Sequence, residues 1–228
     1  MKANLTFQHT TKAHQFSRFN LHSYKEYVKR NSTVETGYAR YKGASLDDFD
    51  RTVKFKAIKA TKHGFYIQGP VGVGKTHLLH AHYRSLPVLV KPIPEREESS
   101  RGQIRGFHLP GKKLFVPSVQ LLSAIRDSYR QGSGVSENDL IKNYARVKWL
   151  YIDDLGVEKP SAWAVQILFM ILDARYNDML PTFFSSNLPL SDIAKQLSQR
   201  IASRIREMCQ VIVLEGNDKR IRQIRRAA

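Results

Sequence analysis

From Gly64 onward the chain alternates short apolar runs with longer stretches of helical periodicity. Phe65-Tyr66-Ile67 reads as a buried strand, Gly69 to Gly74 as a glycine-rich loop, and Lys75 to Arg84 as a helix. Pro87 to Val90 and Leu114 to Val116 have the length and composition of two more strands. Lys91 to Lys113, rich in Pro, Gly and charge, reads as a mobile insertion. Ser118 is expected to cap a helix running to about Arg130, with Val119, Leu122 and Ile125 at helical spacing. Gly132-Ser133-Gly134 breaks it, and Ser136 with Asp139 opens another helix towards Arg146 in the pattern of a capping box. Trp149 to Ile152 reads as a strand and Trp163 to Tyr176 as a helix whose core-facing stripe is Val165, Leu168, Phe169 and Leu172. Thr182 to Ser185 is a strand, Asp192 to Met208 a helix, and Val211 to Leu214 the last strand. There is no internal repeat. Strands alternating with helices predict an α/β fold with a parallel sheet covered on both faces.

Residues 1–37 break this pattern. They form a basic segment with spaced aromatics (Phe7, Phe16, Phe19, Tyr24, Tyr27), in which Ser23 to Arg30 has the makings of a short helix. The segment is too short for a core of its own, so the expected organisation is an N-terminal extension over 1–37 and one domain over 38–228.

Composition adds a partner class. The 228 residues carry 37 Lys+Arg against 20 Asp+Glu, a formal net charge of +17, which attracts polyanions and makes nucleic acid the expected partner. The 42% hydrophobic share excludes a wholly disordered chain. The single cysteine, Cys209, makes neither an internal disulfide nor a four-thiolate metal site, and its apolar context reads as burial. The longest apolar stretch, Ala162 to Leu172, is too short for a membrane span, and the opening Met1 to Thr6 lacks a secretory signal's apolar run. The expectation is a cytoplasmic protein without a membrane partner.

Gly69-Pro70-Val71-Gly72-Val73-Gly74-Lys75-Thr76 fits the G-x-x-x-x-G-K-[ST] pattern in full, with a strand before it and a helix after. Such a loop turns successive N–H groups inward to cradle phosphate oxygens, and the helix start adds its positive dipole end. Lys75 is expected at the β- and γ-phosphates of ATP, the Thr76 hydroxyl on Mg²⁺, and His77 at the edge of the same site. Asp153 and Asp154, ending the strand that begins at Trp149, stand where ligands sit in a parallel sheet. Asp153 suits the Mg²⁺ shell, and Asp154 suits polarising a water against the γ-phosphate. Most hydrolases of this broad class place Glu second, so the shorter Asp154 predicts slow ATP turnover.

The run from Ile152 to Trp163, the run from Leu197 through Arg200 and Arg204 to Cys209, and the lead-in Ala39 to Phe49 resemble the AAA+ ATPases of the DnaC/DnaI helicase-loader group. The likeness covers about residues 38–222. It implies a P-loop NTPase with a parallel five-stranded sheet sandwiched by helices and an initiator-type helical insertion. By that resemblance Asn187, in Ser185-Ser186-Asn187, orients the attacking water. Arg200 and Arg204 include a finger for a neighbouring copy's γ-phosphate, and Arg220 is a second sensor. The helices 118–130 and 136–146 take the place of the insertion that touches single-stranded DNA, with Arg126, Arg130 and Lys142 as candidates. The implied function is replicative-helicase loading in a bacterial or phage-infected cell, by a homo-oligomer that ATP holds together on single-stranded DNA. Only some 37 residues without cysteine precede the core, where loaders usually carry a folded helicase-gripping adaptor. The related IstB ATPases, which polymerise on duplex DNA and regulate a transposase, are the second reading; a DNA-binding module with a purely structural nucleotide site is the third. His77, His80 and His82 cluster without a carboxylate or thiol to complete a metal set.

Overall fold

The computed structural model describes residues 39–86, 113–129, 136–157 and 161–218. Five strands, β1 (Gly64–Gln68), β2 (Lys113–Pro117), β3 (Trp149–Asp153), β4 (Thr182–Ser186) and β5 (Gln210–Val213), form one sheet in the order β2-β3-β4-β1-β5. Every pairing is parallel, with Phe65 opposite both Phe183 and Gln210, and Leu150 opposite both Leu114 and Thr182. The helices are α1 (Arg51–Lys59), α2 (Lys75–Ser85), α3 (Ser118–Asp127), α4 (Glu137–Arg146), α5 (Ala162–Asn177), α6 (Leu190–Gln196) and α7 (Gln199–Met208).

The period-two alternation of the strands sorts their side chains into two cores. Phe65, Ile67, Phe115, Tyr151 and Phe183 face α1 and α2. Tyr66, Val116, Leu150, Ile152 and Phe184 face α3, α4, α5 and α7. The expected layers are therefore present, and α3 and α4 bury Leu121, Ile125, Leu140 and Tyr144 in the same core as α5. Leu168 and Leu172 of the expected α5 stripe are fully buried, with Val165 and Phe169 packed at its margin.

Several expectations need correction. Ser118 is not a cap: Pro117 holds that position, and the Ser118 hydroxyl donates to the Asp154 carbonyl at 2.8 Å. The face of α3 is also rotated by part of a turn, because Val119 is exposed while Leu121 is fully buried. The helix ends at Asp127, short of Arg130. The stretch read as one helix over Asp192 to Met208 is two, beginning at Leu190. Ser198 starts the second by accepting from the Ile201 N–H at 3.2 Å. The Ser136–Asp139 capping box stands as expected. The helix over Ser23 to Arg30, the strand over Pro87 to Val90, the 91–112 part of the insertion and the Gly132–Gly134 break lie outside the described residues.

Arg175, near the end of α5, is fully buried. Its Nη1 donates to the carbonyls of Tyr144, Ala145 and Val147 at 3.0, 3.3 and 2.7 Å, closing the C-terminal end of α4, whose last carbonyls have no helical partner. Nη2 donates to the Pro181 carbonyl and Nε to the Thr182 hydroxyl, at 2.7 and 2.8 Å. One guanidinium thus ties α4, α5 and the start of β4. Desolvation pulls its pKa down to about 9, so it stays charged at neutral pH.

Two buried histidines lie on α2. The His82 ring nitrogens are each 3.0 Å from a hydroxyl, one of Thr61 and one of Tyr151. His80 is stacked between Tyr41 and Phe115, at centroid distances of 4.6 and 4.1 Å. Burial drives their pKa values down to about 3 for His82 and about 4 for His80, with smaller contributions from Lys113 and from His77 and Arg84 respectively. Unfolded histidine protonates near 6.5, so these rings leave stability unchanged above that pH. Below it the unfolded chain binds the extra protons, and stability falls until the folded values are reached. The expected loss by pH 5 is at most about 2 kcal/mol per ring. Urea unfolding at pH 7.5, 6 and 5 measures it. His80→Phe, which keeps the stack, is expected to remove about half the slope. The raised Asp153 carboxyl contributes with the opposite sign over this range, so the comparison with His80→Phe isolates the ring. A variant profile parallel to that of the unaltered chain would show that His80 is not held neutral by the fold.

Candidate nucleotide site

The carboxyl ends of β1, β3 and β4 converge where the strand order changes direction, the usual ligand position in an open parallel sheet. The glycine-rich loop leaves β1 there and runs into α2. Gly69 passes so close to β5 that a Cβ would lie 2.3 Å from the Leu214 carbonyl oxygen. Gly72, at a φ of +78°, has the Asp218 carboxylate against it, and a Cβ there would lie 2.0 Å from Oδ1. The residues after β5 therefore approach the loop through Asp218, although Arg220, two residues on, lies outside the described residues. Lys75 is buried at the first turn of α2 and donates to the Pro70 carbonyl at 2.8 Å. Val73 packs into the core, so only its main chain faces the site, while Val71 is exposed.

The Thr76 hydroxyl donates to Asp153 Oδ1 at 3.1 Å, across 77 residues of sequence. The Ser185 hydroxyl on β4 donates to the same oxygen and accepts the Asp154 N–H at 2.9 Å. Burial pushes the Asp153 carboxyl up to about 6; the Asp154 charge adds to this, and the Ser185 and Thr76 hydroxyls oppose it. A hydroxyl beside a carboxylate is an oxygen donor set that fits Mg²⁺, which takes its remaining oxygens from water and phosphate. Asp154 has a left-handed φ of 53°, a conformation Asp adopts more readily than most residues.

Lys75, Thr76, His77, Asp154 and Asn187 line one cleft of about 580 Å³ with Gly72, Gly74 and Val157. Its other wall was not foreseen from sequence: Arg40, Tyr41, Asp48 and Phe49 of the lead-in segment. The Asp48 carboxylate sits 2.6 Å from His77 Nε2, supplying the carboxylate that the histidine cluster lacked in sequence. No group of three or more metal-ligating His, Cys, Asp or Glu occurs among the described residues. The signal for this wall was the capping box Ser45–Asp48, which fixes the turn carrying Asp48.

Arg200 and Arg204 do not line the cleft. They lie on α7 against α5, where Arg204 Nε donates to Asp173 at 2.9 Å and its guanidinium stacks over Tyr176 at 4.2 Å. Arg200 is exposed, 6.0 Å from the Phe169 ring. Elsewhere, Arg126 lies over Trp163 at 4.9 Å, Trp163 Nε1 donates to the Tyr129 hydroxyl at 3.1 Å, and that hydroxyl donates to Glu137 at 2.5 Å. This cluster joins α3, α4 and α5 and leaves Tyr129 exposed. Lys142 is exposed on α4, and Arg130 lies outside the described residues.

The family model of the AFG1-like ATPases matches residues 4–94. The replicative helicase loader DnaC of Escherichia coli K12 is 28% identical over 142 residues, 62% of this chain and 49% of that protein. A crystal structure of DnaI is 27% identical, with a TM-score of 0.57 over 76% of this chain and 92% of the other. The chain is a relative of the DnaC/DnaI-type AAA+ helicase loaders. It spans about half the length of the curated DnaC it matches. The AAA+ fold extends to the replication initiator DnaA bound to AMPPCP and single-stranded DNA, at 17% identity and a TM-score of 0.57 over 82% of this chain and 54% of the other. The five-stranded parallel sheet found here and these structural neighbours make the fold an α/β P-loop NTPase of AAA+ type, and no helix among the described residues is long and apolar enough to cross a membrane.

Proposed function

We propose that this chain is a cytoplasmic ATPase that loads a replicative helicase, binding ATP and Mg²⁺ in the cleft and assembling with copies of itself on single-stranded DNA. The observation that carries the reading is the contact of Thr76 with Asp153, which brings the phosphate loop and the acidic strand end together beside Lys75 and Asn187. Bound Mg²⁺ would neutralise phosphate charge. The loop's N–H groups and Lys75 hold the triphosphate, Thr76 and Asp153 hold the cation, and Asp154 and Asn187 orient a water at the open side of the cleft. Ser185 ties Asp153 to the Asp154 main chain, so the metal and water positions move as one unit with β4. An arginine from the next copy completes the site. The triphosphate is then bonded from both sides, and hydrolysis releases the interface.

Arg204→Ala is expected to leave nucleotide affinity within about twofold and to lower turnover by at least about 10³-fold, the range for a lost arginine finger. Normal turnover in that variant would remove the finger assignment.

The cluster around Tyr129 supports the single-stranded substrate. An exposed ring braced by a hydrogen bond from Trp163, with Arg126 alongside, is a platform on which an unpaired base stacks. Tyr129→Ala is expected to weaken single-strand binding by about 1–3 kcal/mol at fixed salt, read by fluorescence anisotropy with ATP present. Preference for duplex DNA in the same assay would favour the IstB-like reading instead. Capture of a replicative helicase by the full chain, lost on removal of residues 1–37, would assign partner contact to that segment.

A further inference from the structure

We propose that Asp173 and Tyr176 on α5 are positioning residues that aim Arg204 at the nucleotide of an adjacent copy; the inference rests on the ATPase reading above. An arginine that reaches across an interface must not spend its fork at home, and it must not wander. Arg204 meets both demands. Asp173 takes its Nε–H at 2.9 Å, and Tyr176 covers one face of the guanidinium at 4.2 Å. The Tyr176 ring is itself anchored, since its hydroxyl donates to Glu207 at 2.6 Å, and Glu207 also accepts from the Ser203 hydroxyl at 3.2 Å. A guanidinium held by Nε and one face still presents its outer Nη edge, the edge that matches phosphate geometry.

Arg200, one turn earlier on the same face, has no such holder among the described residues. It is exposed and sits 6.0 Å from Phe169, at the outer limit of a cation–π contact. Of the two arginines, Arg204 is the one built to point, and Arg200 is left to a looser contact with the neighbouring copy. The Asp173–Arg204 pair is about one-third exposed on each side, so its worth lies in orientation more than in stability.

The test compares Arg204→Ala, Asp173→Ala and Asp173→Asn by DNA-stimulated ATP turnover, affinity for a fluorescent ATP analogue, and melting temperature. Asp173→Ala is expected to lower kcat by up to about 10²-fold, with nucleotide affinity unchanged, as for a displaced catalytic group. Asp173→Asn keeps a carbonyl for the Nε–H and is expected to lose less; it also serves if the alanine variant does not fold. A mixing experiment separates aim from fold. Asp173→Ala has a sound phosphate loop and a misaimed arginine, whereas Lys75→Ala has the reverse. An equimolar mixture should therefore turn over several-fold faster than the two alone, because the Lys75→Ala copy lends a well-held Arg204. A mixture no faster than its parts places the defect in the variant's own site and overturns the proposal. Loss of turnover in Arg204→Ala with full turnover in both Asp173 variants overturns it too, while leaving the finger reading intact. Full turnover in Arg204→Ala overturns both.

Discussion

A Lys75→Ala chain is expected to lose ATP turnover by at least about 10²–10³-fold, the cost of removing one preorganised cation from a phosphate site. Nucleotide affinity should fall as well, because one charge-assisted hydrogen bond is worth about 1.5–3 kcal/mol. The side chain is buried, with its ammonium on the Pro70 carbonyl of the same loop. A triphosphate would compete with that carbonyl for the ammonium, so the charge is stored where it is used. Removing a buried cation also removes its desolvation cost, so the melting temperature should hold or rise slightly. Titration with a fluorescent ATP analogue and a melting curve read both effects. Unchanged affinity would mean that phosphate does not bind in this cleft, whatever the loop's sequence.

The largest expected effect on stability belongs to Arg175. Arg175→Met keeps most of the buried aliphatic volume and removes the guanidinium's hydrogen bonds to four carbonyls and the Thr182 hydroxyl. The Pro181 carbonyl keeps the Leu150 N–H at 3.4 Å and the Thr182 hydroxyl keeps the Leu180 carbonyl at 3.0 Å, so the carbonyls of Tyr144, Ala145 and Val147 bear the loss. Groups left unsatisfied in the interior cost about 1–3 kcal/mol each when water cannot reach them, and relaxation offsets part of the sum. A loss of about 3–5 kcal/mol is expected, comparable to breaking a buried charge pair. Arg175→Lys should recover little, since an ammonium reaches fewer of those carbonyls than a planar fork. Urea unfolding of both variants decides it. A loss under about 1 kcal/mol for Arg175→Met would show that solvent enters the gap between α4 and β4.

What the chain reveals before folding divides along physical lines. The phosphate loop is a local object whose glycines and Lys75-Thr76 carry their own geometry, so strand, loop and helix are readable in sequence. Asp153 is readable because a buried run ending in two acids has one natural place in a parallel sheet. Arg175 is not, because Asp-Ala-Arg in the last turn of a helix looks like a solvated end. Its burial depends on the carbonyls of α4 some 30 residues earlier. Ser118 resembles a cap because its acceptor, the Asp154 carbonyl, comes from the bend that follows β3, 36 residues away. The wall made by Arg40, Tyr41 and Asp48 needs the lead-in segment folded onto α2, a contact no periodicity encodes. The break before α7 had a local signal after all: Ser198 is a good starting residue, masked by the apolar periodicity running through it.

Cys209 donates its thiol to the Thr182 carbonyl at 3.3 Å and lies buried next to Arg175, with burial holding its pKa well above the usual thiol range. Since it is the sole cysteine of the chain, maleimide dyes should ignore the native protein. A second thiol introduced on the exposed face of α4 would then take a fluorophore selectively, giving a direct optical report of strand capture by an otherwise unaltered molecule. Dye uptake at Cys209 would, by the same logic, time the opening of the interior under denaturant.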